Sequence, residues 1–147
     1  MSFILRHHNR RYFPDKQIII CEDDLHHQME FAQLMRTLFE PQGKVDITFT
    51  PSGAVAAKAI EIYREHLNLI ILDHDMPIGN GTDLIKWMAM NSYHDIPIIT
   101  ASGHLPNNPH MVDLCRSLTI PVHKYTKREV LDGKANDLIK ELVMSGC

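Results

Sequence analysis

The sequence predicts an α/β fold, a doubly wound five-stranded parallel sheet with five helices. Short apolar runs alternate strictly with segments whose apolar residues recur at helical spacing, which is the pattern of β-α-β units. Residues 69–72 form an entirely apolar run, which is typical of a strand covered on both faces. In such folds, ligands bind at the carboxyl ends of the strands, so the residues that follow each strand are the first candidates for function.

The five predicted strands and helices follow one another along the chain. The strands are residues 17–21, 45–50, 69–72, 96–101 and 120–124. Each is followed by a helix whose apolar face repeats at intervals of three or four residues. These faces are Phe31, Leu34, Met35 and Leu38; Val55, Ala59 and Ile62; Leu84, Trp87 and Met88; Met111, Leu114, Cys115 and Leu118; and Leu131, Ala135, Leu138 and Leu142.

Local signals mark where two of the helices begin. Asn108 followed by Pro109 favours a helix start, with Asn as the cap and Pro at the first helical position. Thr126 and Glu129 form a T-x-x-E capping box that begins the last helix. Gly133 weakens the first turns of that helix, because glycine is a poor helix former.

Length and composition favour one ordinary globular domain. The chain has 147 residues, of which 44% are hydrophobic and 22% charged. We expect residues 1–15, which contain Arg6, Arg10 and Arg11, to be a basic N-terminal extension, and residues 16–147 to form the domain. The net charge of -3 argues against direct DNA binding. No apolar stretch has the length of a membrane span, so we expect no membrane insertion.

The cysteines indicate a reducing compartment. Cys21, Cys115 and Cys147 are too few and too scattered for a disulfide framework, which favours a cytoplasmic protein. Cys21 lies within an apolar run and is expected to be a small buried side chain.

Polar residues follow four of the predicted strands directly. They are Glu22, Asp23 and Asp24 after the first strand, Asp73 and then Asp75 after the third, Ser102 after the fourth, and Lys124 at the end of the fifth. Carboxylates gathered at one edge repel each other, and a hard cation such as Mg²⁺ relieves that repulsion. A carboxylate beside such a cation can act as a nucleophile towards an anionic group, whose oxygens a lysine and a hydroxyl can hold. Asp24 fits a helix start better than a metal site.

Several ordered motifs resemble the receiver family of two-component signalling over residues 16–144. The first strand and its acidic pair are I-I-I-C-E-D-D at residues 18–24, and the phosphoacceptor strand is L-I-I-L-D-H-D-M-P at residues 69–77. The G-N-G turn at residues 79–81 and the I-P-I-I run leading to S-G-H at residues 102–104 follow in the family's order. The resemblance implies a flavodoxin-like fold of the receiver type.

The resemblance also implies a role for each matching position. Asp73 is the expected phosphoacceptor, and Mg²⁺ is the expected cofactor. Asp73, Asp23, Glu22 (through water) and the backbone carbonyl of Asp75 are its expected ligands. Ser102 and Lys124 are expected to hold the phosphoryl group. Lys127 is the alternative candidate for the lysine that holds the phosphoryl group. The capping box places Lys127 inside the last helix, however, so Lys124 is preferred.

Two departures from the family pattern concern the switch between signalling states. The family usually has proline after the lysine and an aromatic residue three positions before it. Around Lys124 these positions hold Tyr125 and Pro121. One alternative is therefore a pseudo-receiver, which docks to proteins without being phosphorylated.

A second alternative is a phosphatase of the haloacid dehalogenase type. Asp73-His74-Asp75 also resembles that family's Asp-x-Asp motif, in which the first aspartate is the nucleophile and the second a general acid or base. That motif normally follows the first strand of its fold, however, and here the third strand precedes it. Asp75 is also expected to affect the lifetime of a phosphoryl group on Asp73.

The ten histidines suggest no metal site, because the adjacent pairs His7-His8 and His26-His27 lack the spacing that places two imidazoles on one helix face. Most are expected to be solvated. His74 and His104 flank the expected site and could add positive charge to it at mildly acidic pH.

The receiver resemblance implies a signalling switch that catalyses its own phosphorylation and dephosphorylation rather than a metabolic enzyme. The expected partners are a sensor histidine kinase or a histidine phosphotransfer protein. Output is expected through docking to a downstream protein or through onward phosphoryl transfer, with the domain standing alone.

Overall fold

The structure, a computed structural model, describes residues 16–40, 45–73, 81–102 and 109–144, and all of their side chains except those of Ser102, Pro109 and His110. The strands are β1 (Lys16–Cys21), β2 (Val45–Thr50), β3 (Leu67–Leu72), β4 (Ile98–Ser102) and β5 (Val122–Thr126). The helices are α1 (Leu25–Phe39), α2 (Gly53–Tyr63), α3 (Gly81–Met90), α4 (Pro109–Ser117), α5 (Lys127–Leu131) and α6 (Asn136–Met144). The expected N-terminal extension, residues 1–15, lies outside the described residues.

All five strands are parallel and form one sheet in the order β2-β1-β3-β4-β5. From β1 the chain adds β2 on one side and then β3, β4 and β5 on the other, so β1 and β3 lie side by side within the sheet. In doubly wound sheets this change of side opens a crevice at the carboxyl ends of the strands. The predicted fold class is therefore confirmed.

Two apolar layers cover the two faces of the sheet. On one face, Phe31 and Met35 of α1 and Ile139 of α6 pack with Ile18 and Ile20 of β1. The opposite face packs against α2, α3 and α4, through side chains that include Ala56, Ile60, Leu84, Met88 and Cys115. Alternate residues of β1 point into opposite layers, since side chains along a strand alternate between its faces. Strands covered on both sides in this way are firmly held, and so are the residues that follow them.

Cys21 is almost completely buried, as predicted. Burial raises the pKa of its thiol to about 12. Among the residues that the structure describes, no helix has both the length and the apolar character needed to cross a membrane.

Side-chain caps define where three helices begin. The Asp24 carboxylate accepts a hydrogen bond from the backbone of His26 and caps α1, as its predicted role at a helix start requires. Ser52 caps α2 through the backbone N–H of Val55. The predicted capping box is present at α5, where Thr126 and Glu129 each accept a hydrogen bond from the other's backbone.

The last predicted helix is divided into α5 and α6, which gives six helices in the described part of the chain rather than the predicted five. Gly133 has a φ of 87°, a left-handed conformation that ends a helix and that glycine adopts without steric cost. The expected weakening of the first turns by Gly133 is thus a complete break.

The predicted apolar face of α2 is wrong in part. Ala59 is buried as expected, but Ile62 is 73% exposed and Val55 is also exposed. The buried face is instead formed by Gly53, Ala56, Ala59 and Ile60. Gly53, Ala56 and Ala59 are small, which lets the helix pack closely against the sheet. The prediction instead followed the larger apolar side chains of Val55 and Ile62.

Candidate functional site

The backbones of β1 and β3 place two carboxylates next to each other. Cys21 and Leu72 are opposite each other in the register of the two strands, so Glu22 and Asp73 are the first residues beyond a paired position. The backbone N–H of Asp73 donates to the carbonyl of Cys21 at 3.1 Å, and that of Glu22 donates to the carbonyl of Thr50 at 3.0 Å. Both acidic residues are therefore held by the sheet rather than by a mobile loop.

Asp23 completes a group of three carboxylates. One carboxylate oxygen from each of Glu22, Asp23 and Asp73 lies within 4.8 Å of the other two. Glu22 is 1% exposed and Asp73 4%, while Asp23 is exposed. Like charges this close disfavour one another, and burial of two of them increases the cost. The group therefore needs positive charge nearby.

Lys127, the first residue of α5, supplies part of that charge. Its ammonium lies 2.8 Å from Glu22 Oε1 and donates a hydrogen bond to Asp73 Oδ2 at 3.2 Å. Only 12% of the Lys127 side chain is exposed, so these ion pairs are largely shielded from solvent. The capping box at Thr126 and Glu129 fixes the turn from β5 into α5, which places Lys127 at the carboxyl edge of the sheet.

The ionisation of Glu22 and Lys127 reflects burial and pairing. Burial raises the pKa of the Glu22 carboxyl, against the opposing effect of hydrogen bonds from Lys127 and from the backbone of Asp24. Burial alone lowers the pKa of Lys127, but its hydrogen bonds and attraction to Glu22 and Asp73 outweigh that effect, so the pKa is raised overall. Lys127 thus remains a cation over the whole physiological range.

The expected position of Lys124 at the site is corrected by the structure. Strand β5 ends at Thr126 and not at residue 124, so Lys124 lies within the strand, opposite Thr100, and is exposed. The lysine that follows the end of the strand is Lys127. The rule that functional side chains follow the strands was sound, but it was applied to a strand end two residues too early.

Counted from Lys127, both departures from the family pattern remain. Arg128 occupies the position after the lysine, where the family usually has proline, and Lys124 occupies the position three before it, where the family usually has an aromatic residue. Tyr125 lies between them and packs against the apolar layer on the α1 face of the sheet.

The carboxylate group suits a hard divalent cation. Three carboxylates and the Lys127 ammonium leave two negative charges uncompensated within this set. Oxygen donors at this spacing are the ligands that Mg²⁺ prefers. Glu22, Asp23 and Asp73 therefore fit the metal predicted from the sequence. Asp75, whose backbone carbonyl was expected to complete the shell, lies outside the described residues.

His27 is a residue of the site that the sequence interpretation missed. It was grouped with the solvated histidines, but its side chain is 31% exposed and its Nδ1 lies 3.3 Å from the Lys127 ammonium. The next residue, Gln28, is buried and donates to the backbone carbonyl of Glu22 at 2.7 Å, which ties the first turn of α1 to the end of β1. A signal was present, because the first turn of a helix that follows a site-forming strand lies beside that site.

The remaining expected site residues are described in part or not at all. Ser102 is the last residue of β4, opposite Thr126 in β5, and its side chain is outside the described part of the structure. His74 and His104 also lie outside the described residues, so their proposed influence on the site stays a prediction.

A family model identifies the kind of domain that carries this arrangement. The model of the response regulator receiver domain matches residues 18–137, which include every described site residue. The chain belongs to the response regulator receiver domain family. The position of Asp73 after the third strand agrees with this, whereas a dehalogenase-type nucleophile was expected after the first. No curated protein matches the chain significantly.

Solved structures of receiver domains resemble this one in fold. The phosphorylated cyanobacterial phytochrome response regulator RcpA is 17% identical, with a TM-score of 0.67 over 88% of this chain and 94% of its own. A two-component response regulator from Legionella pneumophila is 22% identical, with a TM-score of 0.65 over 89% of this chain and 99% of its own. The response regulator domain of CheB from Thermotoga maritima is 15% identical, with a TM-score of 0.60 over 86% and 92%.

Proposed function

We propose that this receiver domain accepts a phosphoryl group on Asp73 in an Mg²⁺-dependent reaction. The observation that carries the proposal is the convergence of Glu22, Asp23 and Asp73 within 4.8 Å, with the Lys127 ammonium on two of them. A solvated aspartate at a strand end would not need a buried glutamate, a second aspartate and a shielded lysine beside it. That RcpA was crystallised in a phosphorylated state supports the same chemistry here by analogy.

The proposed reaction is a phosphoryl transfer to a carboxylate. An oxygen of Asp73 forms a bond to phosphorus while the bond from phosphorus to the donor breaks, and the donor leaves with that electron pair. The donor is a phosphohistidine on a kinase or phosphotransfer protein, or a small acyl phosphate. Hydrolysis of the aspartyl phosphate by water returns the domain to its starting state.

Lys127, rather than Lys124, is proposed to hold the transferred group. Its ammonium already donates to Asp73 Oδ2, so an oxygen of a phosphoryl group bound to Asp73 comes within its reach. In a shielded site this charge stabilises the developing negative charge more than it would in water. We propose that Ser102, at the end of neighbouring β4, supplies a hydroxyl to the same group.

Glu22, Asp23 and Asp73 are proposed to hold Mg²⁺, with the backbone carbonyl of Asp75 as a further ligand. When bound, the cation neutralises the carboxylates and the phosphoryl oxygens during transfer. Asp23 is the exposed member of the set, which suits a position where the cation enters.

The partners that follow from this chemistry are a sensor histidine kinase or histidine phosphotransfer protein on the input side and a downstream protein on the output side. Phosphorylation is proposed to shift the population towards a conformation in which Ser102 and the surface of α4, β5 and the predicted last helix, here α5 and α6, rearrange. We propose output by protein docking or onward phosphoryl transfer, without direct DNA binding, in the cytoplasm.

Intact-protein mass spectrometry after incubation with acetyl phosphate tests the proposal. We expect one labile phosphoryl adduct on the parent protein with Mg²⁺, and none with EDTA or in an Asp73→Asn variant. Asp113→Asn, an exposed change on α4, is the matched control and should retain the adduct.

Two results would change the assignment. A parent protein that forms no adduct from either acetyl phosphate or a phosphorylated histidine protein would favour the pseudo-receiver. Release of inorganic phosphate over many turnovers from substrates that are not phosphodonors for receivers would favour a phosphatase.

A further inference from the structure

The Lys127 ammonium has three close polar neighbours among the described residues, one as an ion pair and two at hydrogen-bonding geometry. These are Glu22 Oε1 at 2.8 Å, Asp73 Oδ2 at 3.2 Å and His27 Nδ1 at 3.3 Å. A lysine side chain is flexible, and each acceptor restricts where its ammonium can lie. Two of these three neighbours are carboxylates, and the third is an imidazole.

The first turn of α1 holds His27 against α5. Asp24 caps this turn, and the buried amide of Gln28 anchors it to the backbone of Glu22. One turn further along α1, Glu30 lies 3.5 Å from Arg128, the residue after Lys127. Consecutive residues of α5 thus contact one face of α1, and the contact between His27 and Lys127 is the more buried of the two.

The charge of Lys127 determines the role of the imidazole nitrogen. An ammonium can only donate, so a hydrogen bond between Lys127 and His27 requires Nδ1 to accept and the ring proton to lie on Nε2. Carboxylate oxygens of Asp24 and Glu22 lie 3.4 Å and 3.9 Å from the same nitrogen. Asp24 is half exposed and can bind water in place of His27. Lys127 is largely shielded from water, so its hydrogen bond to His27 satisfies a donor that has little access to solvent.

We infer that His27 is a positioning residue for Lys127 during phosphoryl transfer. The inference rests on the proposed function. Glu22 and Asp73 both change their partners when a cation and a phosphoryl group bind, so neither can hold Lys127 in a constant position through the reaction. His27 is the acceptor outside the set of carboxylates, and its hydrogen bond remains as the ammonium turns towards a phosphoryl oxygen.

The inference is tested by substitutions at His27, alone and combined with a change at Lys127. His27→Leu removes the acceptor, and His27→Gln keeps a side-chain oxygen that can accept from Lys127. His26→Leu is the matched control, since His26 is on the same turn but 80% exposed, and it contacts Glu30 instead. The measurement is the rate of adduct formation as a function of acetyl phosphate concentration, at saturating Mg²⁺.

His27→Leu is expected to lower the maximal phosphorylation rate about three- to tenfold, as loss of one hydrogen bond suggests. The donor concentration at half-maximal rate should change little. His27→Gln should recover most of the rate, and His26→Leu should match the parent. In a Lys127→Met background, His27→Leu should have no further effect, because it acts through Lys127.

Three results would overturn the inference: an equal loss of rate from His27→Leu in both lysine backgrounds, an equal loss from His26→Leu, or no loss at all. A double-mutant cycle of His27→Leu and Lys127→Met, in which the free energy of unfolding is measured in urea without phosphodonor, distinguishes failure of this inference from failure of the proposed function. If the changes in unfolding free energy are non-additive but the parent forms no adduct, the contact between His27 and Lys127 exists but phosphoryl transfer, and the role of His27 in that transfer, are refuted. Additive stabilities would refute the contact itself.

Discussion

The Lys127 ammonium lies 2.8 Å from Glu22 Oε1, and this ion pair joins the start of α5 to the end of β1. Glu22 is buried beside Asp73, so Lys127 acts as an internal counter-ion to a group of carboxylates that repel one another. The same ammonium is proposed to hold the transferred phosphoryl group. One side chain is thus proposed to contribute both to the stability of the domain and to its chemistry, and the two contributions can be measured separately.

Lys127→Met is expected to destabilise the domain and to impair phosphorylation. Removing one partner of a shielded ion pair leaves Glu22 buried without its counter-ion, which we expect to cost about 1–3 kcal/mol of unfolding free energy. Lys124→Met is the matched control, because Lys124 is exposed within β5. It should change the stability by less than about 0.5 kcal/mol. Urea denaturation and adduct formation check both effects, and equal behaviour of the two variants would contradict the assignment of Lys127.

Mg²⁺ is expected to stabilise the folded domain through the carboxylate group. A cation that binds only the folded state stabilises it by about 2.7 kcal/mol at about 100 times its Kd. Asp23→Asn should remove most of this stabilisation. Without Mg²⁺ the same variant should be no less stable than the parent, because one of three repelling charges is gone. Asp113→Asn serves as the control in thermal unfolding with and without Mg²⁺. An undiminished Mg²⁺ effect in Asp23→Asn would place the cation elsewhere.

The capping box predicts a pH dependence of stability at α5. Hydrogen bonding to the backbone N–H of Thr126 holds the pKa of Glu129 below its ordinary value of 4.5. A carboxyl with a lowered folded-state pKa stabilises the fold above its unfolded-state pKa, and the stabilisation is lost as the pH falls through the folded-state value. Parent and Glu129→Gln should therefore differ most at pH values above 4.5 and converge only as the pH falls below the lowered folded-state pKa of Glu129. Glu61→Gln, an exposed change on α2, should show no such convergence.

The fold and the carboxylates could be predicted because strong local patterns determine them. The apolar runs that became β1 and β3 are buried on both faces, and Glu22 and Asp73 follow them directly. In parallel strands with matched register, residues at equivalent ends are neighbours, so the sequence was sufficient to bring these two together.

The sequence placed Lys124 rather than Lys127 beside the carboxylates because Ile120 was taken as the start of β5. The structure shows that Ile120 belongs to the end of α4, where its backbone N–H donates to the carbonyl of Cys115 and Thr119 has a φ of 58°. This is a Schellman-type helix end, in which an apolar residue follows a left-handed one. Glycine usually occupies the left-handed position, and the presence of Thr119 there concealed the helix end. The expected strand was therefore displaced, and with it the expected lysine.

Thr126→Ala is expected to affect stability and phosphorylation together, because the Thr126 hydroxyl caps the helix that begins with Lys127. Loss of a side-chain cap costs about 1 kcal/mol. Fraying of this turn also frees Lys127 from its fixed position. Adduct formation from acetyl phosphate should therefore slow in proportion to the fraction of molecules in which Lys127 has left the site.

Ser52→Ala provides a matched control, since it removes the cap of α2, which does not carry Lys127. Its loss of unfolding free energy should be similar, about 1 kcal/mol, with phosphorylation unchanged at a temperature where both variants are fully folded. If both variants slowed phosphorylation equally, the effect would reflect general stability. If Thr126→Ala alone slowed it, the turn from β5 into α5 would be the element that delivers the ammonium to Asp73.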